Sequence, residues 1–215
     1  MKIAAVIFDL NGTVLEDEDE YGKAFNKVLK SLGFDPKTEI SHEKGIGVKE
    51  NWVKFIEKYG IKTDKTLEIL TKETQDNYLD EIDNVTIREG FADFVEDLRD
   101  GGIQIALATS NTWEQTDKIL DTVNLQEVFD VITTCDEVTF NKPDPDIFVV
   151  TADKLGAERY ECLVIEDSPA GIEAARRAGM KVVGIASDGN YQELSKADLV
   201  VENFSEITAQ AIDQL

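Results

Sequence analysis

Polar side chains follow four apolar segments of this chain, each at the point where a strand is expected to end. These residues are Asp9, Asn11, Thr109, Ser110, Asn111, Lys142, Glu166 and Asp167. Carboxylates are suitable ligands for a hard divalent cation, and a carboxylate can also act as a nucleophile. A lysine and a helix start rich in hydrogen-bond donors suit an anion such as a phosphoryl group. Together these residue types predict a site for phosphoryl chemistry, although each alone could be a helix cap, a turn or a solvated charge.

The elements that carry these residues predict an α/β fold. The run Ile3–Phe8 is short and rich in β-branched residues, which is typical of a buried parallel strand. From residue 85 onward, expected strands alternate with expected helices, and this alternation predicts a doubly wound parallel sheet. The expected strands are 103–108, 131–132, 163–165, 182–185 and 199–201, and the expected helices are 88–100, 112–123, 145–155, 170–178 and a last amphipathic helix. The carboxyl ends of parallel strands meet at one crevice, so we expect the polar residues to converge there.

Residues 16–83 have helical character and no strand pattern from residue 34 onward, which predicts a helical insertion after the first strand. The acidic run from Glu16 to Glu20 is compatible with a metal site, but we favour a solvated helix start because acids stabilise the positive end of a helix. We expect Trp52 and Trp113 to be packing residues and the single histidine, His42, to lie on the surface.

The composition restricts the partners. The chain has 215 residues, 44 acidic against 22 basic, and a formal net charge of -22. Such a surface repels nucleic acids and anionic membranes, so we expect neither as a partner. It also repels a phosphorylated substrate, so phosphate chemistry here requires a bound cation. No apolar run reaches membrane-spanning length, no signal peptide is recognised, and we expect Cys135 and Cys162 to be free thiols, which favours a cytoplasmic location.

Four segments resemble the signature motifs of the haloacid dehalogenase (HAD) superfamily. They are Phe8-Asp9-Leu10-x-Gly12-Thr13, Thr109-Ser110-Asn111, Lys142-Pro143 and the run from Glu166 to Ala175. The resemblance covers the whole chain, because the helical insertion is similar to the cap of the branch that contains phosphoglycolate phosphatase and β-phosphoglucomutase. It implies a HAD-like Rossmannoid core formed by residues 1–15 and 84–215, with a helical cap formed by residues 16–83.

The resemblance also implies a role for each matching residue. Asp9 would be the nucleophile that forms an aspartyl phosphate, and Mg²⁺ would be the cofactor. The phosphoryl group would be bound by Asp9, Thr109, Ser110, Asn111 and Lys142. The metal ligands would be Asp9, the backbone carbonyl of Asn11, and Asp167, with Glu166 nearby or bound through water. The implied enzyme is a monomeric phosphatase that acts on a small phosphorylated metabolite.

Asn11 departs from the family pattern. Phosphatases and mutases of this family carry a second aspartate at this position, which protonates the leaving group and then activates water. An amide cannot exchange that proton, and such help is typically worth about 10²–10⁴-fold in rate. Three interpretations stay open: an engineered replacement, a natural slow phosphatase or catalytically impaired phosphate-binding relative, or a different chemistry such as that of the dehalogenases or phosphonatases.

Other residues separate these alternatives. Dehalogenases work without Mg²⁺, so the acidic pair Glu166-Asp167 argues against that branch. β-Phosphoglucomutases carry a histidine where this chain has Tyr21 and an arginine where it has Val48, and both departures weaken the mutase interpretation. We therefore expect a phosphatase slowed by Asn11, with a phosphosugar mutase or a non-catalytic phosphate sensor as the alternatives.

Overall fold

A six-stranded parallel sheet forms the centre of the molecule. The computed structural model describes residues 3–34, 42–187, 189–208, 211–212 and 215. The sheet consists of β1 (Ala5–Phe8), β4 (Gln104–Ala108), β5 (Val131–Thr133), β6 (Cys162–Glu166), β7 (Lys181–Ile185) and β8 (Leu199–Val201). The strand order is β5-β4-β1-β6-β7-β8, and all neighbouring strands are parallel. The predicted α/β fold with a parallel sheet is therefore confirmed.

Helices cover both faces of this sheet. They are α4 (Phe91–Asp100), α5 (Trp113–Thr122), α6 (Asp146–Leu155) and α7 (Pro169–Ala178). Val6 and Phe8 point into one hydrophobic cluster, while Ala5 and Ile7 point into the other. The Phe8 ring contacts four further phenyl rings, those of Phe91, Phe94, Phe129 and Phe204. Burial on both faces explains why β1 is apolar at every position rather than at alternate ones.

Three further helices separate β1 from the rest of the sheet. They are α1 (Glu18–Ser31), α2 (Val48–Tyr59) and α3 (Leu67–Leu79), and α3 packs against both of the others. A short antiparallel ribbon of β2 (Leu15–Glu16) and β3 (Thr86–Ile87) joins the two ends of this insertion. The sequence did not predict the ribbon, because strands of two residues carry no periodic signal. The division into a core and a cap at residues 16–83 stays a prediction.

Two expectations about single residues were wrong, and the expectation about the acidic run was right only in part. Trp113 is 52% exposed, because it lies at the start of α5, so it is not a core packing residue. His42 is largely shielded, and its Nε2 lies 2.9 Å from a carboxylate oxygen of Glu18. The acidic run does start a helix, α1 at Glu18, as expected, but it is not wholly solvated, because Asp17 is 1% exposed. The expectation that Trp52 is a packing residue was correct, since its side chain is fully buried.

The predicted last amphipathic helix falls partly on residues 209, 210, 213 and 214, which lie outside the described residues. Within the described ranges, every helix is too short or too polar to cross a bilayer.

Candidate active site

The sheet brings the polar strand ends to one edge. β4, β1 and β6 are adjacent in the sheet, so Asp9 after β1, Thr109 after β4 and Glu166 at the end of β6 lie side by side. Lys142, in the loop after β5, reaches into the same edge. All four side chains are buried, with exposures of 6% or less.

The Lys142 ammonium group links two of the predicted site residues. Its Nζ lies 2.5 Å from Asp9 Oδ1 and 2.8 Å from Glu166 Oε1, and it donates to the carbonyl of Ala108 at 3.2 Å. The group also lies 5.1 Å from the centre of the Phe148 ring. Burial opposes the charged form of the lysine, but the carboxylates of Asp9 and Glu166 outweigh it and raise the pKa of Lys142. This cation is therefore fixed beside the carboxylate of Asp9.

The Glu166 carboxylate is held in place on its other side by the start of α7. Its Oε2 accepts hydrogen bonds from the backbone N–H of Ser168 at 2.9 Å and from the Ser168 hydroxyl at 2.8 Å. A Cβ at Gly171 would lie 1.8 Å from Glu166 Oε1. Glycine is therefore required at position 171, because the carboxylate packs directly against the helix backbone.

Asp167 has an unsatisfied oxygen. Its side chain is 1% exposed, and its Oδ1 accepts a hydrogen bond from the Thr13 hydroxyl at 3.3 Å. Its Oδ2 is buried without any hydrogen-bond partner. Gly12 has a φ of 79°, and a Cβ there would lie 2.2 Å from this oxygen. A buried carboxylate oxygen without a donor is costly, so it marks a position for a missing positive group.

Burial and neighbouring acidic groups disfavour the charged forms of Asp9 and Asp167. Burial, with a further contribution from Glu166, raises the pKa of Asp9 to about 7 even though Lys142 opposes the shift. Burial and the charges of Glu166, Asp9 and Glu18 raise the pKa of Asp167 well above its ordinary value. Among the described residues, no three His, Cys, Asp or Glu side chains form a ready-made metal cluster. A cation here would therefore need backbone or substrate oxygens as additional ligands.

The segment after β4 contributes groups of a different kind. The Thr109 hydroxyl accepts from the backbone N–H of Asn111 at 3.2 Å, and the Ser110 hydroxyl donates to the carbonyl of Gly45 in the insertion at 3.3 Å. The Asn111 side chain donates to the Asn11 side-chain oxygen at 2.7 Å. Thus Asn111 contacts residue 11, while Ser110 joins the core to the loop before α2.

A small cavity of about 50 Å³ lies between the sheet edge and the insertion. Its lining comes from both parts of the chain: Asp9, Asn11, Thr109, Ser110 and Asn111 from the strand ends, and Glu18, Tyr21, Phe25, His42, Glu43, Lys44, Gly45, Ile46, Gly47, Val48 and Asn51 from the insertion. The inserted helices therefore cover the site, and they limit the space next to Asp9.

Sequence reasoning missed two residues that contact the loop after β1. Arg88, which follows β3, donates to the carbonyls of Gly12 at 2.6 Å and Thr13 at 3.0 Å. Asp17 accepts from the backbone N–H of Gly12 at 2.9 Å and from the Asn11 side-chain amide. The only sequence signal for Asp17 was its place in the acidic run, and Arg88 had none.

One family model, two relatives and one solved structure are similar to this chain over most of its length. The family model described as haloacid dehalogenase-like hydrolase matches residues 6–185. Protein CbbY of Rhodobacter capsulatus is 30% identical over 100% of both chains, and a phosphorylated carbohydrates phosphatase of Thermotoga maritima is 32% identical over 86% of this chain and 87% of the relative. The crystal structure of β-phosphoglucomutase from Clostridium difficile has a TM-score of 0.87 and 29% identity, covering 99% of this chain and 96% of that one.

Proposed function

The chain belongs to the haloacid dehalogenase-like hydrolase family, and we propose that it is a Mg²⁺-dependent phosphatase with Asp9 as the nucleophile. The observation that carries this proposal is the buried ion-pair cluster in which Lys142 lies between Asp9 and Glu166, beside the unpartnered oxygen of Asp167. A nucleophilic carboxylate with a fixed cation next to it is suited to attack on phosphorus.

The donor set fits a bound Mg²⁺. When ionised, the carboxylates of Asp9, Glu166 and Asp167 carry more negative charge than Lys142 balances, and Asp167 Oδ2 has no hydrogen-bond partner. Asp9, Asp167 and the backbone carbonyl of Asn11 would hold the ion, with Glu166 nearby or bound through water. When bound, Mg²⁺ reduces the repulsion between the nucleophile and the phosphate dianion.

The proposed reaction has two displacements. A carboxylate oxygen of Asp9 forms a bond to phosphorus as the bond from phosphorus to the leaving oxygen breaks, and the leaving oxygen takes a proton from water. Water then attacks the phosphorus of the aspartyl phosphate, which releases orthophosphate and restores the Asp9 carboxylate. Lys142, Thr109, Ser110 and Asn111 bind and orient the phosphoryl oxygens, where the transition state spreads its negative charge.

Asn11 slows both steps in this proposal. Its amide can neither donate the proton that the leaving group needs nor remove one from the attacking water, and such help is typically worth about 10²–10⁴-fold in rate.

Because one relative is named for phosphorylated carbohydrates, we propose a phosphosugar as the substrate class. The structural likeness to a phosphoglucomutase keeps a mutase as the second candidate. We also propose that residues 16–83 act as a cap and that the enzyme is a cytoplasmic monomer.

Release of orthophosphate tests this function. The wild-type chain, the Asp9→Asn variant and the Asp19→Asn variant are incubated with p-nitrophenyl phosphate and a panel of hexose phosphates, with Mg²⁺ or with a chelator. Asp19 is the matched control, because it has the same functional group on an exposed position of α1. We expect slow Mg²⁺-dependent release by the wild type and by the control, and none by Asp9→Asn.

Two outcomes contradict the proposal. Isomerised hexose phosphate without net phosphate release would identify a mutase instead. No turnover of any substrate, with phosphate binding intact by calorimetry, would identify a phosphate-binding protein without hydrolase activity.

A further inference from the structure

The Asn11 side chain is fixed at both ends of its amide. Its Nδ2 donates to a carboxylate oxygen of Asp17 and lies 3.4 Å from the Tyr78 hydroxyl. Its Oδ1 accepts from Asn111 Nδ2 at 2.7 Å. Position 11 therefore requires a side chain that donates on one side and accepts on the other, which is what an amide does.

The Asp17 carboxylate accepts hydrogen bonds from three groups, one of which is the Asn11 amide. Its side chain is buried, and it accepts from the Tyr78 hydroxyl at 2.5 Å and from the Gly12 backbone N–H at 2.9 Å in addition to Asn11. Although Asp17 is the N-cap residue of α1, its side chain makes no capping hydrogen bond to that helix. The carboxylate thus serves the loop after β1 and the helix α3, not its own helix.

On the side of Asn11 opposite Asp17, a chain of hydrogen bonds determines which end of the Asn111 amide faces residue 11. Asn111 Oδ1 accepts from the Tyr21 hydroxyl at 3.3 Å, and that hydroxyl accepts from Gln115 Nε2 at 2.7 Å. Gln115 Oε1 in turn accepts from Gln75 Nε2 at 2.6 Å. With its oxygen occupied in this way, Asn111 presents its N–H₂ group to residue 11.

We propose that Asp17 is a positioning residue that determines the chemistry of position 11. Its carboxylate accepts from the N–H of residue 11, so an amide suits this position, although an amide cannot exchange the proton that a fast phosphatase needs. An ionised aspartate at position 11 would offer only acceptor oxygens to the ionised carboxylate of Asp17, so the two carboxylates could pair only by binding a proton. The predicted effect on turnover rests on the proposed function. The pairing of the two side chains rests only on the observed contacts.

An exchange of the two residue types tests the pairing. Four proteins are compared: the wild type, Asn11→Asp, Asp17→Asn, and the double variant Asn11→Asp/Asp17→Asn. The double variant restores one amide opposite one carboxylate, with the carboxylate now at position 11. The thermal unfolding midpoint Tm is measured without metal, and kcat and KM for p-nitrophenyl phosphate are measured with Mg²⁺.

We expect each single variant to lower Tm by about 4–10 °C, because each leaves one buried group without its partner. We expect the double variant to regain at least half of that loss. We also expect its kcat to exceed that of the wild type by about 10²-fold or more, whereas Asn11→Asp alone gains less than about 10-fold. KM should stay within about 3-fold, because the phosphate-binding residues are unchanged.

Two results would overturn the inference: additive losses of Tm in the double variant, or a full gain of kcat in Asn11→Asp alone. If a single variant fails to fold, Tyr78→Phe replaces it, because this change removes one donor to Asp17 and keeps the ring stacked on Tyr21 at 4.0 Å. Asp19→Asn again serves as the control. Should none of the proteins hydrolyse a phosphomonoester, the proposed function fails, while the Tm comparison still decides whether the two residues are paired.

Discussion

Replacement of Lys142 by methionine is the most direct test of the buried ion-pair cluster. The substitution removes the ammonium group but keeps an unbranched side chain of comparable length. It leaves the carboxylates of Asp9 and Glu166 buried, without the cation that lies 2.5 and 2.8 Å from them. Removal of one partner from a buried ion pair typically costs about 3–5 kcal/mol. For a chain of this size, that free energy corresponds to a fall in Tm of roughly 6–20 °C.

The loss should depend on pH. Asp9, whose pKa is already raised, can relieve the missing charge by binding a proton, and protonation becomes easier as the pH falls. The folded variant then holds protons that the unfolded chain releases, so its stability rises as the pH falls. We therefore expect the difference between Lys142→Met and the wild type to be largest at neutral pH and to shrink toward about pH 4–5. Chemical denaturation in metal-free buffer at several pH values measures this difference.

A surface lysine provides the control for this experiment. Lys118 forms an ion pair with Glu114 at 2.8 Å, but its side chain is 50% exposed. Because solvent screens this pair, Lys118→Met should cost less than about 1 kcal/mol. The reasoning is refuted if Lys142→Met costs no more than Lys118→Met at neutral pH, since the ammonium would then not be the counter-charge of the buried carboxylates.

Two further predictions concern the loop after β1. Arg88→Met should lower the free energy of unfolding by at least about 2 kcal/mol, because the carbonyls of Gly12 and Thr13 lose a buried charged donor. Arg99→Met, which removes an exposed arginine that also donates to two carbonyls, should cost under about 1 kcal/mol in the same urea titration, and equal losses would contradict the prediction. In metal-free buffer, the stability of Asp9→Asn relative to the wild type should rise as the pH rises from about 4 to 7, because the folded wild type holds a proton that the unfolded chain loses in this interval. The change over this interval should approach about 4 kcal/mol, and a difference independent of pH would contradict the raised pKa of Asp9.

The local sequence pattern was sufficient to predict most of the fold. Buried parallel strands are continuous apolar runs, and most of the runs here are followed directly by a polar residue, so the strands and their carboxyl ends can be located without coordinates. A parallel arrangement then places Asp9, Thr109, Lys142 and Glu166 at one edge, because the strand direction is shared. The family motifs lie on these same residues, so the candidate site and the family were accessible from the sequence.

The sequence could not determine which acidic residues are buried. Glu16 is exposed and Asp17 is 1% exposed, although they are neighbours in one acidic run. The buried Asp17 accepts a hydrogen bond from Tyr78 on α3, which is far along the chain and reaches Asp17 only when the insertion packs against the loop after β1. A residue's own type and its local periodicity carry no information about such a partner.

The sequence by itself thus determined the parallel sheet, the helical insertion and the residues that resemble a phosphoryl-transfer site. The tertiary structure alone decided what surrounds Asn11, because the donors and acceptors at that position come from Asp17 before α1, Tyr78 on α3 and Asn111 after β4. Hydrogen bonds act over about 3 Å in space whatever the separation along the chain. The hydrogen-bond partners of the amide at position 11 therefore depend on tertiary packing, and the spacing of residues in the sequence does not predict them.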